Sequence, residues 1–273
     1  MPAPTAPTLH DDNYSALPVR IGTVAGAWRF PVKSLQGEAV DALVFDATGA
    51  VDDRTWGIVD QATGKLLTAK RWGVLLEASA RLEAGGDVVV TLPDGREHAA
   101  GDPGTDEALS AWLDRDVRLS RPPDGASPFE LTMDPTDDES EVWEFATPPA
   151  SFVDLAAAHL LTDASLAAAR RTYPEGEWDV RRFRPSLLIR AEATAEGFEE
   201  DAWVGHEVAC GDVVFEPFMP TPRCAMPTRA QPGLARDTAI SRSLTDHHAN
   251  SLGVYAQVVR GGCVRIGDKV ALA

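Results

Sequence analysis

The sequence predicts a protein of the α+β class that is rich in β-barrel structure and contains few helices. In the first half of the chain, short strand patterns and turn signals recur about every eight to twelve residues, a spacing typical of sandwiches and barrels. Strand patterns also close the second half, and the helical patterns between them are short. The 273 residues suffice for one large domain or two modest domains, each with its own core.

The first half is predicted to be a meander of short strands with one helix. Alternating polarity and turn residues set the limits of the strands. The helix is expected over residues 105–113, because Thr105 can serve as its N-cap and acidic residues follow in its first turn. The predicted strands cover residues 21–30, 39–45, 57–60, 65–68, 78–82 and 88–92.

The second half is predicted to combine hairpins with helices. Residues 122–140 are polar, acidic and rich in proline, so we expect a loop or a linker there. The most clearly marked helix covers residues 162–173, because Thr162 can cap it, alanines fill its body and Pro174 follows it. The other predicted elements are strands over residues 186–190, 203–210, 213–217, 253–260 and 263–272 and a helix over residues 237–248.

Composition limits the partners and the compartment that we expect. There are 25 Lys and Arg residues against 42 Asp and Glu, and the net charge of −17 argues against binding to nucleic acid or to an anionic membrane. Residues 1–20 contain no apolar run, so we expect neither a signal peptide nor a membrane anchor. The three cysteines lack the spacing of a disulfide framework or a zinc ribbon. We therefore expect a cytoplasmic protein.

One cysteine lies in an unusual stretch of sequence. Four prolines between residues 217 and 229 exclude a helix and disfavour a central strand, so a stiff, extended loop is predicted. This loop carries Cys224 directly after Arg223. A neighbouring cation favours the thiolate, which is both a nucleophile and a metal ligand. On these residues alone, a reactive thiol and a small buried side chain are equally good interpretations.

Several cations stand in or beside turns, flanked by Gly, Pro or Asp. Backbone N–H groups and cationic side chains can converge on an anion in such places. The loops that carry Lys33 with Ser34, Arg54 and Arg184 therefore indicate a ligand that bears a phosphate. The alternative is a set of solvated cations that offset the acidic excess.

Taken together, these motifs resemble those of MOSC-domain proteins. The segments that resemble the N-terminal MOSC β-barrel are Phe30-Pro-Val-Lys-Ser34, Asp53-Arg54 and Thr68-Ala-Lys70. The segments that resemble the MOSC domain are Phe183-Arg-Pro185, Arg223-Cys224, Gly253-Val-Tyr255 and Val264-Arg-Ile-Gly-Asp268. The resemblance implies a flexible lead over residues 1–19, an N-terminal MOSC β-barrel over 20–135 and a MOSC domain over 136–273. It extends to the amidoxime-reducing components, molybdenum enzymes that reduce N-hydroxylated compounds.

The resemblance also implies a molybdenum cofactor and roles for particular residues. Cys224 matches the cysteine that ligates molybdenum beside the dithiolene of a pyranopterin. Asp154 matches an aspartate near the metal that could relay protons to a departing hydroxyl. The matching cofactor-binding residues are Lys33, Ser34, Arg54, Lys70, Arg184 and Arg223. The chain has neither iron–sulfur cysteine spacing nor a dinucleotide fingerprint, so the small-molecule substrate would be reduced with electrons from an external electron-transfer protein.

Four positions depart from the family pattern. Leu155 and Ala156 replace Thr and Ser after Asp154, Ser186 replaces an Asn, and Pro222 replaces a Ser. Because hydroxyls are lost, two other functions stay open. Cys224 could carry sulfur as a persulfide in a carrier or transferase, or the chain could bind the cofactor without catalysing a reaction.

Overall fold

The structure is a computed structural model, and it describes residues 19–272. Of the lead predicted over residues 1–19, all but Val19 lies outside the described residues. Within this range, no helix is both long enough and apolar enough to cross a membrane.

Strands far outnumber helices in the first half, as the turn residues predict. Asp102 is the N-cap of helix α1, so the prediction of Thr105 as its N-cap is wrong. Pro103 suits the first helical position and starts the helix earlier, and the Thr105 hydroxyl instead donates to the Ala99 carbonyl at 2.7 Å. The elements are β1 (Val19–Arg29), β2 (Glu38–Ala39), β3 (Ala42–Asp46), β4 (Gly49–Ala50), β5 (Gly57–Asp60), β6 (Ser79–Leu82), β7 (Val88–Thr91), β8 (Glu97–Ala99), α1 (Pro103–Leu113), β9 (Val117–Ser120), β10 (Pro128–Thr132) and β11 (Val142–Ala146).

The second half alternates strands with two helices. Thr162 caps α2 as predicted, because its hydroxyl accepts a hydrogen bond from the Ser165 N–H at 3.0 Å. The elements are β12 (Ala158–Thr162), α2 (Asp163–Thr172), β13 (Leu187–Ala191), β14 (Val208–Cys210), β15 (Val213–Pro222), α3 (Ala239–His248), β16 (Ser251–Arg260), β17 (Gly262–Arg265) and β18 (Lys269–Leu272). Short 3₁₀ helices cover Gly73–Glu77, Val180–Arg182, Glu199–Trp203 and Met226–Thr228.

A closed barrel of seven strands forms the centre of the described structure. The strand order is β13-β12-β16-β15-β14-β18-β1, and β1 pairs with β13 to close the ring. The interior is apolar, and the rings of Phe45 and Phe215 meet edge to face with centroids 5.0 Å apart. The prediction of a β-barrel-rich α+β fold is therefore confirmed.

A second core belongs to the first half. Val32, Ile58, Leu75 and Leu119 are among its buried side chains, and strands β5 to β9 with helix α1 surround it. The two halves also exchange strands, since β1 completes the seven-stranded barrel and β17 pairs with β3. The division into domains near residue 135 stays a prediction.

The proline-rich stretch before Cys224 differs from its prediction. Residues 217–222 were expected in a loop, but they extend strand β15 as far as Pro222. Beyond Phe215 this strand pairs only with β16, and the register shifts twice along the proline segment. Proline has no N–H to donate. It is tolerated here because one edge of β15 is unpaired and bulges interrupt the pairing with β16. The chain therefore leaves a strand immediately before Cys224.

The acidic segment predicted as a loop contains a strand. Residues 128–132 pair with Val142–Ala146 to form the antiparallel hairpin β10–β11. The β10 pattern of apolar Phe129 and Leu131 among polar residues is the signal for this strand. Pro122, Pro123 and the acidic residues of the segment outweighed that signal in the prediction.

A buried arginine anchors the segment that follows Cys224. Arg182 is fully buried and donates to four backbone carbonyls, those of Glu177 at 2.9 Å, Pro227 and Arg229 at 3.1 Å each, and Ala235 at 2.8 Å. Two of these carbonyls belong to the chain just beyond Cys224. Arg182 thereby holds this segment to the barrel side of the molecule.

Replacement of Arg182 by Ala is expected to lower the free energy of unfolding by roughly 3 kcal/mol, because four carbonyls lose their donor and two of these hydrogen bonds are fully buried. The neighbouring Arg181→Ala is a matched control. Its side chain is 41% exposed and pairs with Asp179, so its loss should cost about 1 kcal/mol or less. Urea unfolding followed by far-UV circular dichroism measures both values. Equal effects of the two variants would contradict the anchoring role of Arg182.

Candidate active site

A cavity of about 580 Å³ lies where the loops of the first half meet the end of the barrel. All eight residues that the sequence predicts for the site line this cavity. They are Lys33, Ser34, Arg54, Lys70, Asp154, Arg184, Arg223 and Cys224. These positions are spread over almost 200 residues of sequence, and the fold brings them together.

Lys33 and Ser34 lie in the turn that follows β1. Ser34 has a φ of 68°, in the left-handed region that non-glycine residues rarely adopt. Its hydroxyl accepts a hydrogen bond from the Ala69 N–H at 3.0 Å, which ties this turn to the segment that carries Lys70. Both lysines are thereby brought to one side of the cavity.

Two guanidinium groups lie against one aromatic ring. Arg184 is 4.0 Å and Arg54 is 5.2 Å from the centroid of Phe30. Both arginines also have a φ of 53°, so the backbone is strained at each of them. Arg184 donates to the Leu35 carbonyl at 2.7 Å, across the junction of the two halves. Burial, together with the nearby Arg54 charge, lowers the pKa of Arg184 to about 9.

Asp154 pairs with both lysines through one oxygen. Its Oδ1 lies 2.7 Å from Lys33 Nζ and 2.9 Å from Lys70 Nζ. Burial alone would raise the pKa of the Asp154 carboxyl, but the two ammonium groups outweigh burial and hold that pKa well below its usual range. Asp154 is therefore an ionised counter-ion in this arrangement.

The two lysines respond differently to the same carboxylate. Burial dominates at Lys33 and lowers its pKa to about 8, despite the attraction of Asp154. At Lys70 burial also disfavours the charged form, but the attraction of the Asp154 carboxylate outweighs burial. The pKa of Lys70 is therefore raised. Lys33 is therefore only partly protonated near pH 8, and an additional anion beside it would increase the protonated fraction.

The cavity has an excess of unsatisfied cationic donors. Among residues 19–272, the buried atoms without a hydrogen-bond partner include Lys33 Nζ, Arg223 Nε and the Asp154 carboxylate oxygen Oδ1. Lys33 Nζ and Asp154 Oδ1 lie 2.7 Å apart and form an ion pair, whereas Arg223 Nε has no such partner. Because unsatisfied buried donors are costly, an anion with several acceptor oxygens fits this donor set. The phosphate of the implied cofactor is such an anion.

Cys224 lies at the cavity, directly after strand β15. The backbone before it is fixed by Asn250, whose carbonyl accepts from the Arg223 N–H and whose side-chain amide donates to the Arg223 carbonyl, both at 2.8 Å. The Arg223 guanidinium donates to the Phe183 carbonyl at 3.0 Å. Cys224 is partly exposed, whereas Cys210 is fully buried and burial raises the pKa of its thiol to about 12. Cys224 thus presents a rigidly positioned thiol to the cavity.

Further polar side chains line the cavity, among them Asn250, which no motif signals, Tyr255, which belongs to the motif Gly253-Val-Tyr255 but received no separate role, and His159. His159 on β12 stands opposite Tyr255 on β16, with ring centroids 5.8 Å apart. Burial and then the charge of Arg223 lower the pKa of His159 to about 3, so the imidazole is neutral. Burial raises the pKa of Tyr255, so its phenol keeps its proton. No local motif signals this pair, because cross-strand pairing creates it.

The four departures from the family pattern occupy different places. Leu155 and Pro222 line the cavity, and Ala156 lines a neighbouring cavity. Ser186 is buried, and its hydroxyl accepts from the His159 N–H at 3.2 Å, so it joins β12 to the start of β13. The cavity also has apolar lining residues, and hairpin β10–β11 contributes Phe129, Leu131, Phe145 and Ala146 to them.

Two family models and several curated relatives match this chain. The MOSC domain model matches residues 148–271, and the model of the MOSC N-terminal beta barrel domain matches residues 21–110. The chain is 26% identical to mitochondrial amidoxime reducing component 2 of Rattus norvegicus and of Homo sapiens, and each alignment covers 92% of this chain and 83% of the relative. The solved structure of the YUAD protein from Bacillus subtilis superposes with a TM-score of 0.49 at 11% identity, covering 94% of this chain and 98% of that one. Because the two domain models together match most of the chain, the chain belongs to the MOSC-domain proteins with an N-terminal MOSC β-barrel.

Proposed function

We propose that this protein is a molybdenum-cofactor-dependent oxidoreductase that reduces N-hydroxylated compounds with electrons from an external electron-transfer protein. The observation that carries the proposal is the cavity in which a fixed thiol, Cys224, faces unsatisfied cationic donors. The relatives named as amidoxime reducing components support the reaction class. The cytoplasmic location belongs to the same proposal, since a ligating thiol has to stay reduced.

The cationic side of the cavity would hold the cofactor. Lys33, Lys70 and Arg54 would bind its phosphate, with Ser34 fixing the turn between them. Arg184 and Arg223 would bind further oxygen or nitrogen acceptors of the pterin. Cys224 would ligate the metal, because a thiolate is a soft ligand that suits molybdenum. When bound, the cofactor supplies the two-electron chemistry that breaks the N–O bond.

Residues of the chain itself would deliver the protons that the reaction consumes. Reduction of an amidoxime to an amidine consumes two electrons and two protons and releases the oxygen as water. Asp154 is held ionised while both lysines pair with it. A phosphate that engages Lys33 and Lys70 would compete for these charges and raise the pKa of Asp154 toward the range in which it can pass a proton. Burial keeps His159 neutral and keeps the proton on Tyr255 near pH 7. Asp154 would therefore be the residue that changes its protonation state during the reaction.

Anion binding by the cofactor-free protein is expected to depend on the charge of Lys33. Sulfate keeps its charge between pH 7 and pH 9, but the pKa of Lys33 is about 8. One pH unit above a pKa leaves about a tenth of a group protonated, so the sulfate affinity should fall by about tenfold at pH 9. Isothermal titration calorimetry with sulfate at the two pH values measures the change.

Variants separate Lys33 from the other cations in this measurement. Lys33→Arg should lose less sulfate affinity than the wild type between pH 7 and pH 9, because a guanidinium at this position loses its proton at a higher pH than the lysine does. Asp154→Asn should shift the fall in sulfate affinity to lower pH, because the carboxylate that raises the pKa of Lys33 against burial is lost. Lys269→Gln, on strand β18, should behave like the wild type. A wild-type affinity that is equal at both pH values would contradict the proposed phosphate site.

Enzyme from a host that makes the molybdenum cofactor should reduce an amidoxime with dithionite-reduced methyl viologen as the electron donor. Cys224→Ser should lower kcat/KM by at least about a hundredfold, because a ligand is lost from the metal. Cys263→Ser is the matched control and should keep its activity, since Cys263 lies on β17 outside the cavity.

Two results would overturn the proposed reaction. One is a loaded wild-type enzyme that reduces no N-hydroxylated compound. The other is full activity of Cys224→Ser. A labile sulfur adduct on Cys224 in protein without pterin, detected by mass spectrometry, would support a persulfide carrier instead.

A further inference from the structure

The cavity has one apolar wall that the cofactor-binding residues do not form. We call it the apolar wall, and it consists of Phe129, Leu131, Met133, Phe145, Leu155 and Met226. Hairpin β10–β11 and its loop contribute the first four of these side chains. The other two, Leu155 and Met226, lie close in sequence to Asp154 and Cys224, so the apolar wall adjoins the polar residues of the cavity.

Large apolar side chains of this wall are left open to solvent. The exposed fraction is 42% for Met133, 41% for Phe145 and 57% for Leu155. Exposed apolar groups gathered at a cavity are typical of a surface that binds an apolar ligand.

The aromatic part of the wall is already ordered. The Phe145 ring stacks on Phe129 with centroids 6.1 Å apart and planes inclined by 27°. Trp143 stacks on Phe145 from the exposed side of the hairpin, with centroids 6.5 Å apart. Because these rings are already stacked, they lose little conformational freedom when a flat ligand binds. They therefore favour a ligand with an aromatic group over a flexible or small ligand.

Lys70 contacts both the apolar wall and the charged residues of the cavity. Lys70 Nζ lies 4.6 Å from the centroid of Phe129 and 2.9 Å from Asp154 Oδ1. A substrate whose polar end approaches Cys224 and Asp154 would therefore place the rest of its body against Phe129 and Phe145.

We propose that the apolar wall binds an uncharged aryl group of the substrate, and that Phe145 and Leu155 determine a preference for aryl over short alkyl N-hydroxylated compounds. This inference rests on the proposed function and adds the substrate class to it. A ring seated on the wall gains contact with both side chains, whereas a methyl group reaches neither fully.

Two amidoximes that share the reacting group test the proposal. The kcat/KM of the loaded enzyme is measured for benzamidoxime and for acetamidoxime with reduced methyl viologen. The wild type should favour benzamidoxime by at least about tenfold, the scale of discrimination by apolar pockets. Phe145→Ala and Leu155→Thr should each lose most of this ratio through benzamidoxime alone. Val142→Ala is the control, because Val142 lies on the same hairpin but outside the cavity.

A binding measurement gives a readout that does not depend on turnover. Calorimetric titration of the oxidised enzyme with benzamidoxime, without an electron donor, should show weaker binding by Phe145→Ala and unchanged binding by Val142→Ala. Equal kcat/KM for the two amidoximes, or a ratio that Phe145→Ala and Leu155→Thr leave intact, would overturn the substrate class and leave the proposed function standing. A loaded wild type that reduces neither amidoxime would overturn the proposed function itself.

Discussion

The structure depends on a concentration of positive charge around one cavity. Five cationic side chains line it, of which Lys33 and Lys70 pair with Asp154 and Arg54 pairs with Asp53. Lys33, Lys70 and Arg184 are buried. Taking such groups out of water costs several kcal/mol each unless a partner compensates. Burial therefore lowers the pKa of Lys33, Arg184 and Arg223. A fold that keeps these charges together is arranged for an anion.

The cationic side chains stay together because segments from both halves of the chain hold them in place. Strand β1 completes the barrel and then delivers Lys33 and Ser34, while β15 ends next to Cys224. Left-handed backbone at Ser34, Arg54 and Arg184 stores strain at the cavity. The exchange of β1 and β17 between the halves fixes the relative position of these segments. The site is therefore built into the junction and does not depend on one loop.

Turn residues and alternating polarity are local signals, and they predicted the barrel-rich fold and the turns that carry Lys33, Arg54 and Arg184. The resemblance to MOSC-domain proteins supplied Lys70, Asp154 and Arg223, which line the same cavity. The prolines before Cys224 were assigned to a loop because a bulged strand with one free edge cannot be recognised from proline content. Hairpin β10–β11 was missed because acidic residues and prolines masked the alternation around Phe129. The pairing of His159 with Tyr255 depends on strands about a hundred residues apart in sequence, for which no local pattern exists.

The central claim is that Cys224 supplies a sulfur ligand to molybdenum held in this cavity. X-ray absorption at the molybdenum K-edge counts the sulfur atoms around the metal in wild-type protein and in Cys224→Ser, both from a cofactor-producing host. The account predicts one sulfur ligand fewer in Cys224→Ser. The same sulfur count in both proteins, or no molybdenum in the wild type, would contradict it.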